Sequence, residues 1–564
     1  MIQSNGKTIL IGRKIRSSRI LRAVHFFLFF GIILPLGILT GCREKAPEIL
    51  SIDPRIGRMG DVLTIMGTGF GVERNESYVT IAGTPPTSSS YVSWNDEVIM
   101  VKIPEFGEAG LVYVHRGREK SNPALFANQA TLPMPIEGSE HNNTPRISSI
   151  EPASGAIGSL LTIQGNNFGS SRENSAVCFS WDAELSQSSP SGISPPDFVE
   201  ASETEFGYEL WSEREIRVRI PDGAISGNIE VRTPKGNSRP VYFEITGKPG
   251  TKVYRDKRSY TFSYMVDIRI DQALNPNTLY IWMPQPAVSS SQRNIRLLSR
   301  SVEPFVENYQ GTSLFRFNDI FPRTNQTITM SYVADVFAVE TNIRNQAPVK
   351  LNEPTPIGTV YSHPSVLIPS GNPEIKTKST EIAGKERYPL AKAQKIYEWL
   401  ISSGNIKGTA LPGGALEALE EKLADSYRAS LLFCAFARAQ GIPALPVAGV
   451  LVDRQRRTTR HYWAEFWLDG FGWVPVDPAL GAGAAPADFN LRQDYTRYYF
   501  GNLDNQRIAF SRGERFLSQM SPKGRTTMRS RDYSLHTLWE EAIGGLESYS
   551  SFWSDVTITG MYVQ

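Results

Sequence analysis

Three side chains in the last third of the chain are of types that could perform nucleophilic chemistry: Ser426, His461 and Asp477. A serine hydroxyl attacks an amide or ester when an imidazole removes its proton, and a carboxylate beside that imidazole holds it in position. Each residue also has a purely structural explanation. Ser426 could cap a helix, His461 could hydrogen-bond within a strand, and Asp477 could form a turn with Pro478. Their order along the chain suggests a catalytic site but does not establish one.

The elements around these residues follow from the sequence pattern. The stretch SYRASLLFCAFARAQ, which starts at Ser426, predicts a helix that is apolar on nearly every side and therefore buried. Gly441-Ile442-Pro443 supplies the stop signal for this helix. HYWAEFWL and WVPVDP follow as two strands. A five-residue connecting loop would set Asp477 opposite Trp463 and diagonal to His461, at roughly 7 to 8 Å between Cα atoms, so the two side chains would share a face.

The stretch FARAQGIPALPVAGV, followed by HYWAEFWLDGFGWVPVDP, resembles the core of the transglutaminase-like superfamily, which has a papain-like arrangement. The resemblance implies that His461 is the general base and that Asp477 is the carboxylate that orients it. The family has Gly-x-Cys at the start of the helix, whereas this chain has Ala424-Asp425-Ser426. A serine therefore stands at the position of the family's cysteine nucleophile, and the candidate triad is Ser426, His461 and Asp477.

The exchange of sulfur for oxygen changes what such a site can do. The family chemistry needs a thiolate at a helix N-terminus, where the dipole and an imidazolium lower the thiol pKa from about 8.5 to as little as about 3.5. A serine hydroxyl does not ionise in this way and needs His461 to take its proton during the attack. Cys434 is no substitute, because eight residues along the same helix place it about 12 Å up the axis. We predict that Cys434 is a buried apolar residue.

The first 42 residues have the layout of a bacterial export signal. Six basic and no acidic side chains accompany an uncharged apolar run from Ala23 to Thr40. The run ends in Leu39-Thr40-Gly41-Cys42, which resembles the lipobox of bacterial lipoproteins and implies lipid on Cys42 after cleavage behind Gly41. An uncleaved anchor helix is the alternative, although a bilayer asks for about 20 apolar residues. Both alternatives predict a chain in the bacterial cell envelope, anchored to a membrane and facing the periplasm or the exterior.

Composition excludes several partners and cofactors. Beyond residue 42 the chain has 53 Lys and Arg against 57 Asp and Glu, so it has no basic field that favours nucleic acid. Three cysteines cannot build a disulfide framework. The sequence has neither an H-E-x-x-H nor a C-x-x-C motif. We therefore predict no metal site and no cofactor.

The N-terminal half contains an internal repeat. Residues 47–71 and 145–169 share a pattern of Pro, paired Gly, an L-T-I strand and Gly-x-x-Phe at a fixed offset of 98 residues. WNDEVIMVKIP from Trp94 is matched by WSEREIRVRIP from Trp211 at an offset of 117, so the second copy carries about nineteen extra residues. We assign this insertion to a surface loop in QSSPSGISPPDF. Both copies resemble IPT/TIG domains, which are immunoglobulin-like modules with a spacer or docking role.

The chain is therefore predicted to be multi-domain, with two immunoglobulin-like β-sandwiches, a further β-rich domain and an α+β transglutaminase-like (papain-like) core. Alternation as in YTFSYMVDIRI marks the β-rich domain, and the helical period of LAKAQKIYEWLI marks the start of the core. The predicted ranges are 1–42 for the lipoprotein signal peptide, 46–127 for IPT/TIG domain 1, 145–247 for IPT/TIG domain 2, 250–345 for the β-rich domain and 385–564 for the transglutaminase-like domain.

Two functions from different classes fit this sequence. The favoured one is a non-catalytic lipoprotein, a pseudoenzyme that is held to the membrane through Cys42 and binds peptide, protein or cell-wall glycan. The alternative is an amide or ester hydrolase or acyl-transferase acting on peptides, in which Ser426 attacks, His461 acts as base and Asp477 holds the imidazole. Removing a thiol from such a site should cost several powers of ten in rate unless its surroundings are rebuilt for a hydroxyl, which favours the binding function.

Overall fold

The computed structural model describes residues 46–104, 110–128, 143–182, 197–351, 354–403 and 405–563. The chain divides between His141 and Asn142 into two compact units. The predicted export signal, with its lipidation site at Cys42, lies outside the described residues. So does most of the predicted loop QSSPSGISPPDF.

The first unit is a β-sandwich whose two sheets enclose one apolar core. One sheet has four strands in the order β1-β3-β6-β5, and the other has the order β2-β9-β7-β4 with β8 paired to β7. Alternate residues of each strand face inwards, as Leu63 and Ile65 do in β3, so the period-two sequence pattern places the core between the sheets. The strands are β1 (Glu48–Asp53), β2 (Ile56–Gly57), β3 (Val62–Thr68), β4 (Tyr78–Ile81), β5 (Tyr91–Trp94), β6 (Val98–Lys102), β7 (Gly110–Arg116), β8 (Glu119–Lys120) and β9 (Ala124–Asn128).

The second sandwich repeats this plan with a strand added. Its sheets have the orders β10-β12-β16-β15 and β11-β19-β17-β13-β14, with β18 paired to β17. The added strand is β14, which begins within the last two residues of the predicted insertion. The prediction of a loop is wrong for Asp197 and Phe198, because these residues pair with the edge of β13. The strands are β10 (Arg146–Glu151), β11 (Ser154–Gly155), β12 (Leu160–Asn166), β13 (Ala176–Trp181), β14 (Asp197–Glu200), β15 (Tyr208–Trp211), β16 (Glu215–Arg219), β17 (Gly227–Thr233), β18 (Gly236–Asn237) and β19 (Val241–Ile245).

The repeated Gly-x-x-Phe motif has a packing explanation. A Cβ atom on Gly67 would lie 2.0 Å from the carbonyl oxygen of Glu48 and 2.4 Å from the ring of Phe70, so only glycine fits there. The repeated tryptophan has a role too, because Trp94 Nε1 donates to the carbonyl oxygen of Phe70 at 3.2 Å. The equivalent residues of the second copy are Gly165, Phe168 and Trp211, with a Trp211 Nε1 to Phe168 O distance of 3.1 Å.

The β-rich domain is one large antiparallel sheet that includes strands from both ends of the C-terminal unit. Its core order is β21-β24-β20-β23-β22, and β30 and β31 pair with β20 while β29 pairs with β30. The last strands therefore belong to this sheet, although the predicted range 385–564 groups them with the transglutaminase-like core. Trp539 and Trp553 pack edge to face in the core of this sheet, with ring centroids 4.8 Å apart. The strands are β20 (Gly250–Pro284), β21 (Gln292–Arg300), β22 (Val306–Tyr309), β23 (Thr312–Asn318), β24 (Asn325–Ile343), β29 (Arg525–Thr527), β30 (Glu540–Trp553) and β31 (Thr557–Val563).

The α+β core consists of helices packed on a four-stranded sheet in the order β27-β26-β25-β28. Helix α5 begins at Ser426, as predicted, and all but its two terminal residues are buried. Among the described residues, no helix has the length and apolar content that crossing a membrane requires. The elements are α1 (Pro356–Ser362), α2 (Pro373–Ala383), α3 (Pro389–Ser403), α4 (Ala415–Glu421), α5 (Ser426–Ala439), α6 (Pro478–Gly481), α7 (Tyr495–Tyr498), β25 (Ala444–Val452), β26 (Thr458–Leu468), β27 (Gly472–Val476) and β28 (Arg507–Arg512).

The second sandwich is built into the C-terminal unit. The Trp181 ring packs against Tyr254 and Phe337 of the large sheet, with centroid distances of 5.0 and 5.2 Å. The buried guanidinium of Arg512 on β28 pairs with Glu205 of the sandwich and, at 2.6 Å, with Glu465 on β26. A continuous apolar core and a buried ion pair therefore connect the two parts, so this copy has a structural role beyond that of a free spacer.

Candidate functional site

The β26–β27 hairpin brings His461 and Asp477 together. Leu468 pairs with Gly472 and Ala464 pairs with Val476, so Asp477 follows opposite Trp463, in the expected register. His461 Nε2 and Asp477 Oδ2 are 2.8 Å apart. With Nε2 donating to the carboxylate, the imidazole nitrogen left for chemistry is Nδ1, which has no hydrogen-bond partner among the described residues.

Asp477 is fixed by more than the imidazole. It is fully buried and caps α6, where its Oδ1 accepts from the backbone N–H of Leu480 at 3.0 Å. This agrees with the structural explanation for Asp477 without excluding the catalytic one. Burial opposes ionisation, but His461 and Arg507 outweigh it and hold the pKa of the Asp477 carboxyl below its usual value. Asp477 is thus a buried carboxylate with several partners.

Arg507, on β28, connects the His461–Asp477 pair to a second carboxylate. Its Nη1 donates to Asp477 Oδ2 at 3.0 Å and its Nη2 to Asp504 Oδ2 at 2.8 Å. Its guanidinium lies over the ring of Trp463, 4.9 Å from the centroid. Burial opposes the charge of Arg507, but Asp504 and Asp477 together raise its pKa. One oxygen of Asp477 therefore serves both the imidazole and a permanent cation.

Ser426 is the first residue of α5 and is not its cap. The cap is Asp425, whose Oδ1 accepts from the backbone N–H of Arg428 at 2.9 Å. The other Asp425 oxygen pairs with Arg531 at 2.5 Å. The explanation of Ser426 as an N-cap is therefore wrong, because Ser426 already lies within the helix and the extended residue before it, Asp425, is in the capping position. The half-buried Ser426 hydroxyl makes no hydrogen bond within the part of the chain that the structure describes.

The start of α5 lies beside the start of β26. Tyr427 packs edge-on against Tyr462, with ring centroids 4.9 Å apart. Because side chains alternate along a strand, His461 projects from the other face of β26, where its ring stacks against Trp463 at 6.4 Å. The structure brings His461 and Asp477 into one hydrogen-bonded group and leaves the Ser426 hydroxyl outside it.

The two cysteine thiols in the described residues are both buried. Burial raises the pKa of Cys434 to about 12 and the pKa of Cys178 to about 12. Neither thiol can therefore supply a thiolate at neutral pH. The described residues also contain no group of three or more His, Cys, Asp and Glu placed to hold a metal ion.

Sequence reasoning missed the two arginines of this site. Arg507 lies in the segment NLDNQRIAFSRG, where β28 pairs with β25. Arg531 pairs with Asp425 beside Ser426, and its guanidinium lies 4.4 Å from the centroid of the Tyr427 ring. A signal was present for Arg507, since an arginine in an apolar strand is rarely buried unless it is paired with a carboxylate.

Family comparisons match both kinds of domain. Residues 376–478 match the transglutaminase-like superfamily, and residues 47–126 and 145–193 match the IPT/TIG domain. The chain therefore carries two IPT/TIG domains and a C-terminal transglutaminase-like domain, as the motifs predicted. The transglutaminase-like match contains the whole candidate triad.

Individual relatives share only parts of the chain. An uncharacterized protein of Haemophilus influenzae is 28% identical over 176 residues, which cover 25% of this chain and 47% of that protein. A cyclomaltodextrin glucanotransferase of Paenibacillus macerans is 33% identical over 85 residues, which cover 15% of this chain and 12% of the enzyme. A solved structure of a candidate cysteine protease from Cytophaga hutchinsonii shows 15% identity and a TM-score of 0.35, covering 56% of this chain and 92% of that one. The chain thus spans about half the length of the first curated relative and about an eighth of the second.

Proposed function

We propose that this chain, with two IPT/TIG domains and a transglutaminase-like domain, is a cell-envelope lipoprotein whose transglutaminase-like domain binds peptide, protein or cell-wall glycan without cleaving it. Lipid on Cys42 holds it to the membrane. Along the sequence, the first IPT/TIG domain follows Cys42 and precedes the C-terminal unit, and the second supports the transglutaminase-like sheet.

One observation carries the non-catalytic assignment. The Ser426 hydroxyl makes no hydrogen bond to His461, although a serine nucleophile depends on a base within hydrogen-bond reach. The relatives of this domain use a thiolate that ionises before the attack, and a site shaped for a resting ion pair does not by itself place a hydroxyl for proton transfer. The Arg507 cation also shares the Asp477 oxygen that a catalytic imidazolium would need.

The alternative function is a Ser426-dependent hydrolase or acyl-transferase acting on peptides. The intact His461–Asp477 pair and the free Nδ1 favour it, as does the place of Ser426 at the positive end of α5. The hydrogen bonds of a catalytic site often form only once substrate is bound, so a hydrogen bond between Ser426 and His461 could form in a substrate complex.

A serine-directed phosphonate probe separates the two functions. We expect no label on Ser426 in the purified chain that lacks residues 1–42, because the hydroxyl has no base to activate it. Mass spectrometry of the labelled peptide is the measurement, and Ser426→Ala is the matched control. Labelling of Ser426 that disappears in a His461→Ala variant would establish the hydrolase function and overturn the binding one.

The membrane anchor is tested separately. We expect the full chain to fractionate with membranes after high-salt washing and the Cys42→Ser variant to lose its lipid. Metabolic incorporation of a radiolabelled fatty acid measures the modification directly. Incorporation that survives Cys42→Ser would contradict lipidation at Cys42, and absence of incorporation in the unaltered chain would favour an uncleaved anchor helix.

A further inference from the structure

A cavity of about 120 Å³ lies where three parts of the C-terminal unit meet. The second IPT/TIG domain, the start of β20 and the tip of the β26–β27 hairpin each contribute to its wall. Lys248, Lys252 and Tyr254 are among its lining residues. The cavity is distinct from the Ser426–His461–Asp477 site, none of whose residues lines it.

Lys248 brings an uncompensated positive charge to this cavity. Its ammonium has no ion pair and no hydrogen bond to any described residue, although the side chain is partly buried. Burial, followed by the like charge of Lys252, lowers the pKa of Lys248. Burying a charged ammonium group without a partner costs free energy, and a bound anion would offset that cost.

Lys252 and Tyr254 offer further donors to the same cavity. The Lys252 ammonium pairs with Asp222 and donates to the carbonyl oxygen of Trp473 at 2.7 Å, which leaves its third N–H available. Both oxygens of Asp222 have partners, because the second one accepts from the Ser290 hydroxyl at 2.7 Å. Tyr254 is only 3% exposed, and its hydroxyl, which lies near Ser290 and Trp181, makes no well-aligned hydrogen bond to any described residue. Such an orphaned hydroxyl indicates a missing acceptor.

We propose that this cavity binds a small oxyanion, either phosphate or a carboxylate, through Lys248, Lys252 and Tyr254. Both ligand types carry a negative charge and at least two acceptor oxygens. The donors are the two lysine ammonium groups and the tyrosine hydroxyl. The two lysines and Asp222 leave one net positive charge at the cavity, and a monovalent oxyanion balances it. The anion joins β20 to the IPT/TIG domain and to the tip of the hairpin that carries His461.

Thermal unfolding measures this binding, since a ligand that binds only the folded chain raises the melting temperature with its concentration. The probes are inorganic phosphate and acetate, each compared with chloride at the same ionic strength and pH. We expect one of the two to raise the melting temperature of the unaltered chain by more than it raises that of Lys248→Gln, a comparison that removes the general stabilising effect of such salts, and the probe that does so identifies phosphate or carboxylate as the ligand class. No rise with either probe beyond that with chloride would overturn the proposal.

Two variants locate the site. Lys248→Gln should weaken binding of the active probe about tenfold or more, as expected for the loss of a charge-assisted hydrogen bond. Tyr254→Phe removes only the unpartnered hydroxyl, so it should fold and still bind more weakly. Lys235→Gln, at an exposed turn of the same domain, is the matched control and should bind as the unaltered chain does. Equal binding by Lys248→Gln and Lys235→Gln would overturn the assignment.

Discussion

Ser426→Cys should create a reactive thiol, alkylated by iodoacetamide at pH 6 about tenfold or more faster than a free cysteine. Residue 426 is the first residue of α5, where the partial positive charge of the helix N-terminus favours a thiolate. The two described native cysteines are buried and do not compete for the reagent. Alkylation quenched at a series of times, followed by peptide mass spectrometry, gives the rate at this position. A large gain would mean that the scaffold retains the thiolate-stabilising features of its family.

The second variant for this experiment is Ser426→Cys combined with His461→Ala. We expect it to keep most of the gain, because His461 projects from the face of β26 opposite Tyr462, which packs on α5, so the helix terminus is the group that stabilises the thiolate. A rate that His461→Ala leaves unchanged would assign the whole effect to the helix terminus. A single-variant rate no greater than that of a free thiol would show that the surroundings of residue 426 no longer favour an anion, and it would leave the domain as a binding module only.

Arg507→Met should be the most destabilising single substitution at this site, lowering the free energy of unfolding by about 3 to 5 kcal/mol. The methionine keeps much of the side-chain volume but removes the cation that Asp477 and Asp504 share in a buried environment. Asp504 would then have no cationic partner among its described hydrogen bonds, and Asp477 would keep only its hydrogen bonds to His461 and the backbone of Leu480. Urea denaturation at neutral pH, followed by tryptophan fluorescence, measures the loss as a lower midpoint.

Two controls separate charge from packing at Arg507. Arg296→Met removes an exposed arginine from β21 and should leave the midpoint unchanged. Adding Asp504→Asn to Arg507→Met should recover part of the lost stability, because it removes one of the unpaired buried charges. If the double variant is no more stable than Arg507→Met, the loss came from packing against Trp463 and the electrostatic account is wrong.

The second IPT/TIG domain is more than a spacer for the transglutaminase-like domain. A spacer would make few contacts with its neighbour, whereas this sandwich shares an apolar core with the transglutaminase-like sheet and contributes Glu205 to its buried ion pairs. His461 and Trp463 project from the sheet face that contributes to this shared core. The second domain therefore helps to shape the region around the candidate site, while the first forms a separate unit.

Local patterns predicted the elements of the site well. The start of α5, the Gly-Ile-Pro stop and the β26–β27 register depend on residues close together in sequence, and the structure has them as expected. The side-chain pair His461–Asp477 follows from that register, because residues on one face of a hairpin are neighbours. The Asp425 cap was missed because aspartate and serine are both good caps and stand next to each other.

The domain types, the repeat and the oxygen at residue 426 are all predictable from the chain alone, because each depends on residue identity and short-range spacing. Long-range packing, in contrast, places β30 and β31 on the sheet of β20, Arg507 between Asp477 and Asp504, and the second sandwich against the core. These contacts join segments tens to hundreds of residues apart. Strand pairing and ion pairing at such distances depend on which surfaces remain exposed after the local elements form. The spacing of residues within a short segment carries no information on those surfaces.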